Sequence, residues 1–117
     1  MSRDPLLLLE DIENSCIKIV RFTEGLGRDA VLADEMRFDA VLHNFQVVGE
    51  AAKRLPGELR QRHTDVPWRE IAGMRDFVAH EYFALDREIL WDAIQHNVPE
   101  LLVKVRKILQ LEEEARS

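Results

Sequence analysis

The chain has little of what would fasten it covalently or break it into loops. Its 117 residues include one cysteine, four prolines and five glycines. Cys16 cannot close an internal disulfide, and its place on an apolar helical stripe reads as a small core residue rather than a nucleophile. The scarcity of Gly and Pro, with 46% apolar and 32% charged residues, excludes a disordered chain. No apolar run approaches the roughly 18 residues of a membrane span. The opening Leu6-Leu7-Leu8-Leu9 is cut off by Glu10 and Asp11, is too short for a secretory leader, and follows no basic region beyond Arg3. A cytoplasmic protein is the expectation. HxH, CxxC and DxD spacings are missing as well, so no metal site is expected.

What the chain does have is helical periodicity, with no alternating strand pattern and no internal repeat. Asp4-Pro5 forms a helix start, an N-cap followed by proline at the first helical position. Leu9, Ile12, Cys16, Ile19 and Thr23 then recur at helical spacing, and the helix should stop by Glu24, before Gly25-Leu26-Gly27. A second run starts near Ala33, with Val41, Leu42, Phe45, Val48, Ala52 and Leu55 as its stripe, and Pro56-Gly57 ends it. Glu58 to Asp65 is polar with a brief helix at most. Pro67-Trp68 opens a third helix, and Asp86 can cap a fourth. The fourth carries Ile89, Leu90, Ala93, Ile94, Val98, Leu101, Leu102, Val105 and Leu109 as apolar positions. Pro99 inside it deletes the bond to the carbonyl of Gln95 and should kink it. Residues 112–117 should form a frayed tail. The expected architecture is a single all-α domain over residues 1–117, a bundle of four to five helices.

Charge is uneven. The net charge is −6, yet Lys53 to His80 holds six Lys/Arg against four acids, leaving ten against eighteen elsewhere. His63 and His80 lie in the same stretch, so an anionic partner should meet the protein here.

That stretch contains RDFVAHEY, residues 75–82, in the third helix. At about 100° per residue, Arg75 lies within about 60° of Trp68, Ile71, Val78, Ala79 and Tyr82, in the middle of the apolar face. An unpaired guanidinium there costs several kcal/mol, so it must be paired or must face an anion. Glu50 on the second helix is the expected partner, and a purely structural Arg–Glu pair is one reading. His80 lies about 140° from Arg75, and one straight helix does not aim both groups at one phosphate. Either the helix unwinds near Ala79 or a second copy brings its own motif alongside. Apolar residues on both sides, Phe77 included, suit a helix covered on two faces, and the spacing points to a dimer. A cleft with two Arg and two His supports limited but specific chemistry. Histidine exchanges a proton near neutral pH, and arginine grips a phosphate and its developing charge. With RNA the 2′-OH is an internal nucleophile, so no metal is required. His43, His63 and His96 read as ordinary surface or partly buried histidines, and Trp68 and Trp91 as core or interface anchors.

Arg75-Asp76-Phe77-Val78-Ala79-His80-Glu81-Tyr82 resembles the R-x4-H-x-Y signature of the HepT-like (DUF86) branch of the HEPN superfamily. The surroundings agree: GEAAKRLP from Gly49, VPWREIAGMRDFVAHEYF from Val66, and LWDAIQHNVPELL from Leu90. The resemblance covers nearly the whole chain. It implies a homodimeric all-α HEPN bundle, the toxin subunit of a toxin–antitoxin pair, acting on RNA as a metal-independent endoribonuclease without cofactor. The implied partner is a minimal nucleotidyltransferase (MNT-domain) antitoxin, which silences such toxins by transferring AMP to the motif tyrosine. Carried onto this chain, Arg75 and His80 would be catalytic, Asp76 would orient its neighbours, Tyr82 would receive the AMP, and Glu50 would support Arg75. The alternative is a catalytically silent HEPN domain that binds a nucleotide or scaffolds a nucleotidyltransferase. The intact Arg/His pair favours the enzyme.

Overall fold

The helix starts follow local chemistry. The structure, a computed structural model, describes residues 3–79 and 87–117, and the side chains of all of these except 76–79. The Asp4 carboxylate accepts the Leu6 N–H at 2.9 Å and Pro5 occupies the first turn, so α1 (Pro5–Thr23) begins at the cap and proline expected to start it. It ends where Leu26 N–H bonds the Thr23 carbonyl at 3.1 Å. Gly25 takes φ +73°, a left-handed turn that costs glycine nothing. A short helix, α2 (Arg28–Ala33), follows and was not expected; it buries Val31 and Leu32. Asp34 then caps α3 (Glu35–Arg54) by accepting the Arg37 N–H at 3.1 Å. The polar stretch after Pro56 is helical only as α4 (Gly57–Arg62), and α5 spans Trp68–Ala79.

The fourth apolar pattern departs from expectation. It divides into α6 (Arg87–Asp92), a π-helical turn (Ala93–Asn97) and α7 (Val98–Arg116), with the Val98 N–H bonded to the Ala93 carbonyl. The backbone stays helical at Asp92, Asn97 and Val98, so the run is continuous and the widened turn lies immediately before Pro99. Asp86, expected as the cap, lies outside the described residues. Ile89, expected on the apolar stripe, is 61% exposed.

Among the described residues four long helices form the bundle. α3 packs against both α1 and α5, and α7 packs against α1. The expected stripes fill the interior: Leu9, Ile12, Cys16 and Ile19 of α1 meet Val41, Phe45, Val48 and Ala52 of α3, all buried. Each such large apolar side chain contributes about 1.5–3 kcal/mol by leaving water. Two buried polar side chains are satisfied locally, Thr23 Oγ1 donating to the Ile19 carbonyl at 2.8 Å and Asn44 Nδ2 to that of Ala40 at 2.8 Å. The fold is all-α, and among the described residues no helix is long and apolar enough to cross a membrane.

Residues 112–117, expected to fray, continue α7 to Arg116. Ion pairs from distant parts of the chain hold them. Arg116 grips Asp4 with both terminal nitrogens, at 2.7 and 3.1 Å. Glu112 accepts from Arg62 at 2.7 Å and meets His63 Nε2 at 2.8 Å. The Arg62 hydrogen bond, with that from His63, brings the Glu112 carboxyl down from 4.5 to about 2 against the opposing effect of burial. A lowered carboxyl stabilises the fold above its ordinary value, and that contribution fades as pH falls through the folded one. Glu112→Gln is thus expected to lower stability by about 1 kcal/mol at pH 7. The gap to the parent should close between about pH 4.5 and about 2, read by thermal melts across that range. A gap unchanged by pH would place the loss elsewhere than in the carboxylate.

Candidate active site

The motif helix is fixed at its start by Trp68. Its indole Nε1–H donates to the His63 carbonyl at 2.9 Å while its ring is buried, and Ile71 one turn on is buried too. A structural anchor is what the sequence suggested for Trp68. From there α5 runs unbroken through Arg75 to Ala79, across α3.

The crossing is closest at Gly49. A β-carbon built there would stand 2.9 Å from the Arg75 backbone nitrogen, 3.2 Å from Arg75 Cβ and 3.2 Å from the Ile71 carbonyl oxygen. Only a residue without a side chain lets the two backbones approach this far. Glycine inside a helix costs about 1 kcal/mol relative to alanine, so its presence needs such a packing reason. The sequence offered that signal, Gly49 immediately before Glu50, but the approaching backbone is a fact of three dimensions.

Beside this contact, Arg75 Nη1 donates to Glu50 Oε2. The pairing is the one the helical wheel asked for, but the burial is not. The Arg75 side chain keeps 33% of its exposure and that of Glu50 44%, so the pair stands on the rim of the bundle and not in its core. The wheel fixes where the Cα–Cβ bond points, while a long side chain carries its charged end out along the apolar surface to water. The Arg75 hydrogen bond holds the Glu50 carboxyl below the usual range, against desolvation, with the charges of Arg75, Lys53 and Arg54 adding to it. Glu50 is therefore an anion among three cations.

Glu50 opens onto a groove of about 410 Å³ between α1 and α3, whose lining includes His43, Gln46 and Arg54. A second cavity of about 350 Å³ lies between the long helices, lined mainly by apolar side chains such as Phe45, Ile71, Met74 and Leu101. Cys16 also borders it, fully buried, and burial followed by the charge of Glu13 pushes its thiol up to about 12. Such a thiol is a poor nucleophile at neutral pH. Among the described residues no group of three or more His, Cys, Asp or Glu side chains could hold a metal. His43 and His96 are exposed, and His63 is mostly buried against Glu112.

Of the site residues expected from the sequence, the structure brings Arg75 and Glu50 together. His80 and Tyr82 lie outside the described residues, as does the side chain of Asp76. The same holds for the choice between an unwound helix beyond Ala79 and a second copy.

Comparison with known proteins adds a family. Residues 12–108 match the family described as ribonuclease HepT-like. Over 110 residues the chain is 38% identical to a Caldanaerobacter subterraneus subsp. tengcongensis protein named "Putative RNase TTE0752", covering 94% of this chain and 98% of that one. Over 108 residues it is 34% identical to "Probable ribonuclease HepT" of Thermococcus cleftensis, covering 92% and 98%. A Methanocaldococcus jannaschii protein, "Putative RNase MJ0125", is 31% identical over 108 residues, covering 92% and 93%. No solved structure matches the chain significantly.

Proposed function

The chain belongs to the ribonuclease HepT-like family, and from that premise we propose that it is an RNA-cleaving enzyme, the toxin of a toxin–antitoxin pair. The observation that carries the proposal is Arg75 itself. α5, which carries the arginine of the R-x4-H-x-Y signature, presents its guanidinium at the rim of the bundle, oriented by Glu50 and still partly open to solvent. A purely structural pair has no need of that exposure, whereas a phosphate clamp does.

In the proposed mechanism His80 takes the proton from a ribose 2′-OH. The freed oxygen attacks the adjacent phosphorus, and the bond to the 5′-oxygen of the next nucleotide breaks, that oxygen taking up a proton from water as it leaves. Arg75 holds the non-bridging oxygens, whose charge grows in the transition state, and Asp76 orients the pair. The products are a 2′,3′-cyclic phosphate and a 5′-hydroxyl, and the base-plus-clamp chemistry uses neither metal nor cofactor. Two copies related by a two-fold axis would bring two Arg75 and two His80 into one cleft, which answers the angular separation of the two residues on a single helix. The partner would be an MNT-type nucleotidyltransferase antitoxin, transferring AMP to Tyr82 in the cytoplasm. An attached AMP adds bulk and negative charge two positions from His80, which repels an RNA backbone.

The test is incubation of the purified protein with structured RNA in EDTA. Cleavage leaving cyclic phosphate ends is expected. Inhibition by EDTA that added metal reverses would overturn the metal-free mechanism. Without cleavage, a mass spectrum of the Tyr82 peptide decides: an added AMP means a silenced enzyme, and an unmodified peptide favours the silent scaffolding module.

A further inference from the structure

Glu50 is surrounded by more positive charge than Arg75 alone supplies. Lys53 and Arg54, in the last turn of α3, act on the same carboxylate and are both exposed. Among the described residues neither has a salt-bridge partner. The groove that Glu50 opens onto runs along α3 past His43, Gln46, Val47, Glu50 and Arg54. Positions 43, 47, 50 and 54 repeat at helical spacing and form one continuous stripe. Its other wall, from α1, includes Asp11, whose carboxylate is taken by Arg3 at 3.0 Å. Each of the two carboxylates in the groove thus holds an arginine, and the charge left over in its lining is that of Arg54, with Lys53 next to it in the last turn of α3.

We propose that this groove seats the RNA backbone next to the scissile phosphate, with Arg54 gripping the phosphate beside the one held by Arg75. The inference rests on the ribonuclease reading and extends it to how substrate is held. One helical turn separates Glu50 from Arg54, a rise of about 6 Å, close to the spacing of successive phosphates along a strand. The stripe from His43 to Arg54 covers about 16 Å, the reach of a few nucleotides. Arg75 can keep Glu50 and still serve a phosphate, since a guanidinium has five N–H donors. Among the described lining residues the one ring on which a base could stack is the imidazole of His43, at the end of the stripe away from Arg54. Arg54 meets the backbone and does not read bases, so its contribution is indifferent to sequence. A protein partner fits less well, because the centres of protein interfaces are depleted in charged side chains.

The experiment is fluorescence anisotropy with a labelled 2′-O-methyl oligoribonucleotide, which cannot be cleaved, titrated across salt concentrations. Arg54→Ala is expected to weaken binding about 5- to 10-fold, by the same factor for different sequences, and to reduce the slope of log affinity against log salt by about 0.7. Lys53→Ala, the second variant, should act in the same direction, and Arg54→Lys should keep the slope. If the parent binds and both alanine variants bind equally well with an unchanged slope, the groove is not the RNA track. A variant that shifts the monomer–dimer equilibrium in sedimentation but leaves RNA affinity intact overturns it too, and assigns the groove to a second copy. If the parent, with its Tyr82 peptide unmodified by mass spectrometry, binds no oligoribonucleotide at all, the ribonuclease reading falls and the groove proposal falls with it.

Discussion

His80→Ala and Arg75→Ala should each lower RNA cleavage by about 10²–10⁴-fold while leaving the fold in place. For His80 the expectation comes from the motif and the family, since the proposed base is lost. For Arg75 the structure sharpens the stability side. Had the Arg75–Glu50 pair been buried, as the helical wheel suggested, removing one member would cost about 3–5 kcal/mol by stranding the other charge. The pair is instead 33% and 44% exposed, so water screens it and solvates whichever partner remains. Exposed pairs contribute about 0–1 kcal/mol, a shift of a few degrees in melting temperature. Cleavage assays beside thermal denaturation check both halves. Arg75→Ala that unfolds at room temperature would return the residue to a structural role, and a variant that cleaves like the parent would remove it from the chemistry.

That contrast marks where the sequence was legible. The stripes of α1 and α3 were readable because a 3.6-residue period is a local property, and every residue assigned to them is buried. α2 escaped notice because six residues hold too few repeats for a period to show, and its two buried side chains are adjacent. Leu90 takes the inward place one turn before Ile94, and Ile89, about 100° round the helix from Leu90, faces out. Pro99 was read as a kink on the assumption of one continuous α-helix. The chain widens one turn to i→i+5 bonding just before the proline, a π-bulge that no periodicity of apolar residues announces. The tail looked frayed because its own composition is polar. What orders it are Arg62, His63 and Asp4, partners far away in the chain whose approach no window of sequence displays. At the site, the Arg75–Glu50 pairing followed from the cost of an unpaired cation, but its exposure depended on side-chain reach. Gly49 was visible as a residue and invisible as a contact.

Gly49→Ala tests that contact. On an exposed helix the change would stabilise by about 1 kcal/mol, because alanine is the better helix former. Here the new methyl meets the Arg75 backbone nitrogen at 2.9 Å, which is main chain and not the yielding end of a side chain. α5 must move away from α3, and overpacking of this kind costs about 1–3 kcal/mol, more than the propensity gain. The net expectation is destabilisation by up to about 2 kcal/mol, read in denaturant or thermal melts. The larger effect should be on catalysis. Moving α5 carries Arg75 off the position in which Glu50 orients it, and a displacement of about 1 Å at a reacting centre can cost about 10²-fold in rate. Cleavage by Gly49→Ala should therefore fall well beyond what its lost stability explains, under conditions where the variant is fully folded. A variant more stable than the parent and equally active would mean that the two helices do not meet here as closely as the structure has them.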